Sequence, residues 1–360
     1  MSTTVAAEEA PERSYPAFAE PLWRRVLLTR EMAVIALLVV VVVYSLANVA
    51  NFNGPLTSYF LLLDTAPILL IALPMTMIII TGEIDLSVAS VVGLSSVLVG
   101  VLHADAGLSI PVAGLVALLA GVACGLLNGF LVAYVGLPSL AVTIGTLALF
   151  RGLAVGLLGT RAVTDFPQRW TDLAQAQFQV GTFHVPVIMI PFLVLLVLFT
   201  VLLHFSVFGR GVYDVGLNSE AAHFTGVDVA RTKLLLFVLA GVVSAFAGIY
   251  WTLRFGSARG DNATGLELQV IAAVLLGGVS IFGGRGRLHG VIAGVLLIGV
   301  LSSALRLENV DVNVTNIIIG LLLIGSVVAG TLVAWVSGSV GRRARPTSSL
   351  PPAAGGTQER

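Results

Sequence analysis

Long apolar runs, separated by short polar or glycine-rich breaks, dominate this chain. A helix that crosses the hydrocarbon core of a bilayer needs about 20 largely apolar residues. The first such run extends from Met32 to Ala50 through an unbroken LLVVVVVY stretch. Others follow near residues 60–80, 87–102, 110–134, 139–158, 186–205, 232–253, 267–282, 288–305 and 314–336. The pattern predicts an all-α, polytopic integral membrane protein of about ten transmembrane helices. A transmembrane domain then occupies 31–336, flanked by polar tails at 1–30 and 337–360 that are expected to be disordered. The first run is too long for the 7–15-residue core of a cleavable signal and is read as a helix.

Composition supports the same picture. Hydrophobic residues make up 57% of the 360 and charged residues only 11%, against about 25% in an average soluble domain. The net charge of zero offers no basic footprint for nucleic acid. One cysteine, Cys124, allows no internal disulfide and no thiolate cluster. The five histidines show no ligand spacing, so no metal or cofactor is expected.

Basic residues sort by side. Lys and Arg accumulate on the cytoplasmic face of membrane proteins. With the N-terminus inside, the inner segments hold 13 basic residues and the outer ones five (Arg161, Arg169, Arg254, Arg259 and Arg306). Both termini are therefore expected in the cytoplasm. The one cytoplasmic loop of substance, 206–231, contains a segment that reads as a short surface helix. Asn218 is suited to cap it, Glu220 opposes the dipole in its first turn, Ala221 and Ala222 favour helix, and Gly226 ends it. Local chemistry alone leaves this segment either a connector or a docking element. The single lysine, Lys233, is not part of a P-loop, so ATP hydrolysis would have to come from another subunit.

Four segments carry a resemblance. GEIDLSVAS (Gly82–Ser90), LPSLAVTIGTLALFRGLA (Leu137–Ala154), GLNSEAAHFTGVDVARTK in the cytoplasmic loop and GSARGDNATGLELQVIAAVLLGGVSIFGGRGRLHG (Gly256–Gly290) resemble, in that order, motifs of membrane permeases from ribose-type bacterial sugar ABC importers. The details look closest to permeases grouped with rhamnose import, and autoinducer import permeases of the same branch are similar as well. The chain departs at Glu83, where the family usually has glycine.

The resemblance implies a permease domain over 31–336 in the bacterial inner membrane, with no enzymatic activity of its own. It would form the path for a monosaccharide. Its partners would be cytoplasmic ATPase subunits, a periplasmic sugar-binding protein, and a second permease copy or a sister permease. The 217–227 segment would be the coupling helix. A proton-coupled secondary sugar transporter using Asp64, Glu83 or Glu267 is the alternative.

Ionisable and polar groups inside spans are rare and costly. Asp64 and Arg151 are read as a mutual pair, as members of the sugar path, or, for Asp64, as a residue near the outer boundary. Asn128, between Gly125 and Gly129, is read as an interhelical hydrogen-bonding group rather than a sugar ligand, and Glu267 as a further path or buried polar residue. Glu83 and Asp85 lie in a cytoplasmic turn, with Asp85 or Ser87 expected to cap the third span. Tyr59, Phe60, Tyr250 and Trp251 are read as an interfacial aromatic belt. The second to fifth spans and the seventh to tenth are compatible with an inverted repeat, although no residue-level identity carries it.

Overall fold

A computed structural model describes residues 29–322 and 324–325 of the chain. The two predicted tails and the end of the last run lie almost entirely outside those residues. Every predicted apolar run coincides with a helix: α1 (Arg30–Asn48), α2 (Thr57–Ile80), α3 (Val88–Ala104), α4 (Ile110–Ala133), α5 (Ser139–Leu158), α7 (Met189–His204), α10 (Val229–Phe255), α11 (Leu266–Leu276), α12 (Leu288–Leu307) and α13 (Val312–Leu322). Between them lie α6 (Gln168–Gln175), α8 (Val207–Leu217), α9 (Ser219–Phe224) and a two-stranded antiparallel hairpin, β1 (Gln177–Val180) with β2 (Phe183–Pro186).

The architecture is all-α and polytopic, but ten full spans are not seen among the described residues. Six helices are long and apolar enough to cross alone, and a seventh crossing arises if α7 and α8, bent by 65°, count as one. The third and eighth predicted spans are shorter. Helix α3 has 17 residues and α11 only 11, which at about 1.5 Å per residue is near 16 Å. The third matches its predicted run, 87–102, whereas the eighth, predicted over 267–282, stops at Leu276 because Gly277 caps it and Gly278 takes a φ of +92°.

Helix α2 is the axis of the molecule. From Leu63 to Ile80 nearly every residue is buried, whatever the face, as befits a helix that is hydrophobic all round. It carries Pro67 and Pro74 in its interior; neighbouring helices shield the resulting breaks in the backbone ladder. Helices α7, α10, α11 and α12 pack around it. Helix α10, the longest at 27 residues, also packs against α3 and α4. The α4–α10 contact is a backbone-to-backbone approach. A Cβ on Gly121 would lie 2.5 Å from the Gly241 carbonyl oxygen, and one on Gly125 would lie 2.4 Å from that of Phe237. Small residues at four-residue spacing permit this closeness. The outward faces of α1, α4, α5 and α7 expose leucine, valine and phenylalanine, the surface a helix offers to lipid.

Loops gather at two ends. One end carries α9, the 81–87 turn and the 277–287 loop. The other carries the β-hairpin, α6 and the 256–265 loop. We call these the short-helix face and the hairpin face.

Candidate functional site

At the short-helix face, the segment from Asn218 to Gly226 forms the expected helix. The Asn218 side chain accepts from the Ala221 amide at 2.9 Å, Glu220 sits in the first turn, and Ala221 is exposed while Ala222 is 3% exposed and anchors the segment. Gly226 ends it with φ +91°, where a side chain would be strained. Phe224, beside it, is 81% exposed. Sequence reasoning passed over Phe224 because one phenylalanine in an apolar chain carries no signal. Leu217 and Phe282 are exposed on the same face.

Immediately beneath α9, three backbones meet without side chains between them. Gly216 of α8 faces the Ile80 carbonyl and Gly284; a Cβ there would be 1.8 Å from the Ile80 oxygen. The Gly284 amide donates to that same oxygen at 2.8 Å, and the Tyr213 hydroxyl donates to the Gly286 carbonyl at 2.7 Å.

The 81–87 turn is bonded on all sides. Asp85 is buried and accepts from both the Ser87 amide (2.8 Å) and the Ser87 hydroxyl (2.7 Å). Asn128 of α4 donates to the Ser87 hydroxyl at 2.8 Å. The Ile84 amide donates to the Ser139 hydroxyl and its carbonyl accepts from the Thr143 hydroxyl, both residues of α5. Asn128 thus bridges helices, as the sequence suggested. The expected cap needs correction: Ser87 stands at the N-cap of α3 but makes no side-chain capping bond, because its hydroxyl is held by Asp85. Burial pushes the Asp85 carboxyl up to about 6, with the two Ser87 bonds opposing that rise. Glu83, the departure from the family pattern, forms an ion pair with Lys233 in the first turns of α10, both side chains being about one-sixth exposed (16% and 17%).

In the interior, Arg151 of α5 makes no pair with Asp64. Its guanidinium donates to the carbonyls of Gly260 (2.9 Å), Asn262 (2.7 Å) and Ala89 (3.3 Å). The absence of a side chain at Gly93 leaves it room. The carboxylates that act on it electrostatically are Glu267 and Asp261. Arg151 therefore holds the 256–265 loop from below. Asn262 adds a bond from its amide to the Ser96 hydroxyl at 2.9 Å. At the rim, the Arg259 guanidinium holds the Asp261 carboxyl below the usual range.

Asp64 pairs instead with two arginines that sequence reading had treated only as outward charges. Arg254, 8% exposed at its side chain, donates to Asp64 and to the Leu63 carbonyl (2.8 Å), and Arg306 donates to the other carboxylate oxygen at 2.8 Å. The mutual Asp64–Arg151 pair is overturned: the two residues lie on different networks, and backbone carbonyls satisfy the arginine. The aromatic belt also needs revision. Tyr59 is buried and donates to the Gln175 carbonyl at 2.6 Å, and Tyr250 is buried with an unpartnered hydroxyl. Phe60 is exposed, while Trp251 faces a basin.

That basin, of about 610 Å³, opens on the hairpin face between Trp251, Phe255, Arg259, Asn262, Thr264 and Gln269. A second cavity of about 220 Å³ lies among α2, α11, α12 and α13. Gln269 lines both. Among the described residues, no cluster of His, Cys, Asp or Glu has the makings of a metal site.

A long buried axis helix among apolar helices, an exposed short helix at one face and polar chambers at the other form the frame of a polytopic membrane permease. The sequence family described as "Branched-chain amino acid transport system / permease component" matches residues 58–338, and the chain belongs to it. Within that family it is a permease component of the sugar ABC importer type, a multi-pass protein of the inner membrane. ATPase subunits and a substrate-binding protein complete such importers. The autoinducer 2 import system permease protein LsrD of Yersinia enterocolitica is 36% identical over 312 residues, 84% of this chain and 92% of the relative. LsrD of Photorhabdus luminescens is 34% identical over 312 residues (84% and 91%). LsrD of Escherichia coli O157:H7 is 36% identical over 308 residues (83% and 91%). No solved structure matches the chain.

Proposed function

We propose that this permease forms the path for a small hydroxylated molecule, with autoinducer 2 as the first substrate to test, and that α9 is its dock on the ATPase. The similar import permeases named above favour autoinducer 2 over rhamnose. The short-helix face is then cytoplasmic, both termini lie inside, and a second permease copy or a sister completes the path. The proton-coupled alternative has less to stand on. Glu83 is tied to Lys233 and Asp64 to two arginines, so neither is a free carrier of protons.

The observation that carries the docking role is α9 itself. It is a capped helix anchored only by Ala222, with Phe224 turned out to solvent. Large aromatic residues at interface centres cost at least ~2 kcal/mol when truncated, more than tenfold in binding. Phe224→Ser combined with Glu220→Arg is expected to abolish ATP-driven uptake of autoinducer 2 in proteoliposomes holding the full importer. The amount of permease in the membrane should not change. Undiminished uptake by this variant would sink the docking role.

A further inference from the structure

We propose that the 220 Å³ cavity is a binding site for one compact, neutral, polyhydroxylated molecule with an apolar edge, reached from the basin past Gln269. The inference deepens the importer reading and rests on it.

Polar side chains are scarce in this chain, yet several converge on the cavity from four helices: Asp64 from α2, Gln269 from α11, Ser302 and Ser303 from α12, and Asn316 from α13. Gln269, Ser302 and Ser303 are half-buried, and Asn316 is exposed. The charged members are already committed. Asp64 is held by Arg254 and Arg306, and Arg254 also by the Leu63 carbonyl. By contrast, Gln269, Ser302, Ser303 and Asn316 make no side-chain hydrogen bond among the described residues.

The uncommitted groups are therefore two hydroxyls and two amides, all neutral. Each both donates and accepts, as a ligand hydroxyl does. An anion would find donors but also the amide oxygens; a polyol finds a partner at every group. Leu61, Ile68, Ile298 and Ile319 add aliphatic lining, which takes an apolar edge. Size is limiting. The cavity holds roughly seven waters at about 30 Å³ each and falls below the ~300–1,000 Å³ of drug-sized pockets. A volume of about 220 Å³ suits a single sugar-sized molecule and is too small for a disaccharide.

Gln269 lines both this cavity and the larger basin, in which Trp251 and Phe255 pack with ring centres 5.2 Å apart beside the polar 256–265 loop, and so marks the way in. A ligand delivered to the hairpin face would meet the aromatic basin first and the hydroxyl-lined cavity second.

Ser302→Cys and, as a second variant, Asn316→Cys test the site in the full importer. The native Cys124 is buried and serves as the unlabelled background. Labelling by a small methanethiosulfonate is timed with autoinducer 2, L-rhamnose or D-ribose, or with glycine betaine as the non-polyol control. At twice the dissociation constant, occupancy slows labelling about threefold. We expect that slowing with at least one of the three polyols and none with betaine. Equal rates throughout, in a variant importer that still takes up substrate, would overturn the cavity and leave the importer reading standing. Protection without ATP-driven uptake by the wild-type complex would overturn the importer reading and leave the cavity. Neither protection nor uptake would overturn both.

Discussion

Two glycine-bearing turns each link a long helix to a shorter one, and they have opposite characters. The 81–87 turn follows the buried axis α2 and precedes α3 at the short-helix face. The 256–265 loop follows α10, the other long helix, and precedes α11 at the hairpin face. In the first, every polar group looks inward: Asp85 to Ser87, Ser87 to Asn128, and Ile84 to Ser139 and Thr143. In the second, the carbonyls are held from below by Arg151, while Arg259, Asp261 and Thr264 look outward into the basin. The same local device, a glycine-bearing connector from a long helix to a shorter one, makes a clamp at one face and the floor of a chamber at the other. Irregular backbone at membrane depth is tolerated only when buried in protein or lining a cavity. This chain uses one solution at each face.

The clamp can be broken most severely at its glycine contact. Gly216→Val would drive a side chain into the Ile80 carbonyl, 1.8 Å from where its Cβ must sit. Rigid backbone surrounds it, so a loss above ~4 kcal/mol is expected, in the range reserved for gross core disruption. Size-exclusion chromatography in detergent should show aggregate in place of a monodisperse peak. The floor is mixed: nothing lies within 4 Å of a Cβ built on Gly265, whereas one on Gly260 would meet Val155 at 2.9 Å.

The floor depends on Arg151. Arg151→Leu leaves the Gly260 and Asn262 carbonyls without their charged donor, at about 1–3 kcal/mol for each buried unsatisfied group. The expected result is a folded protein, some 3 kcal/mol less stable, whose basin has lost its shape and whose uptake is strongly reduced. Unchanged uptake would mean that the loop is set by Asn262 and the Val163–Ala258 bridge instead.

Protonation sharpens the contrast further. Asp85 has a native value near 6 against an ordinary 3.8, a rise of about two units, or roughly 3 kcal/mol at about 1.36 kcal/mol per unit. A raised carboxyl favours the folded state while it is neutral, so its contribution is full below pH ~3.8 and lost as pH climbs through ~6. Asp85→Asn should therefore be more stable than the wild type at pH 7.5, and the difference should shrink toward pH 4. Thermal unfolding in nanodiscs at both pH values measures this, and a gap independent of pH would remove Asp85 as its source.

Much of this was legible in the sequence. Ten apolar runs marked ten helices, because the bilayer imposes a length and a polarity that few other structures share. Asn218, Glu220 and Gly226 framed a short helix through local bonds, and local bonds are what sequence spacing encodes. Interior pairing was not legible. Asp64 and Arg151 look like complementary charges, yet backbone carbonyls satisfied the arginine and two arginines near the hairpin face, Arg254 and Arg306, claimed the acid. Carbonyl acceptors occur at every residue and leave no mark in a sequence. The length of α11 was missed for a related reason, since apolar residues continue past Leu276 into a turn that Gly277 and Gly278 have taken out of the helix. The adjacent Ser302 and Ser303, polar in an otherwise apolar run, were a signal that went unread.

The Glu83–Lys233 pair has a practical consequence at the bench. The only lysine of the chain is largely shielded and held by a carboxylate, so amine-directed reagents will find little to react with in the folded transmembrane domain. Lysine cross-linkers will map this permease poorly onto its partners, and sparse cutting by trypsin will leave long apolar peptides. Conversely, a lysine placed by design on α9 would be close to the sole reactive amine of the domain, a clean handle for catching whatever sits against that helix.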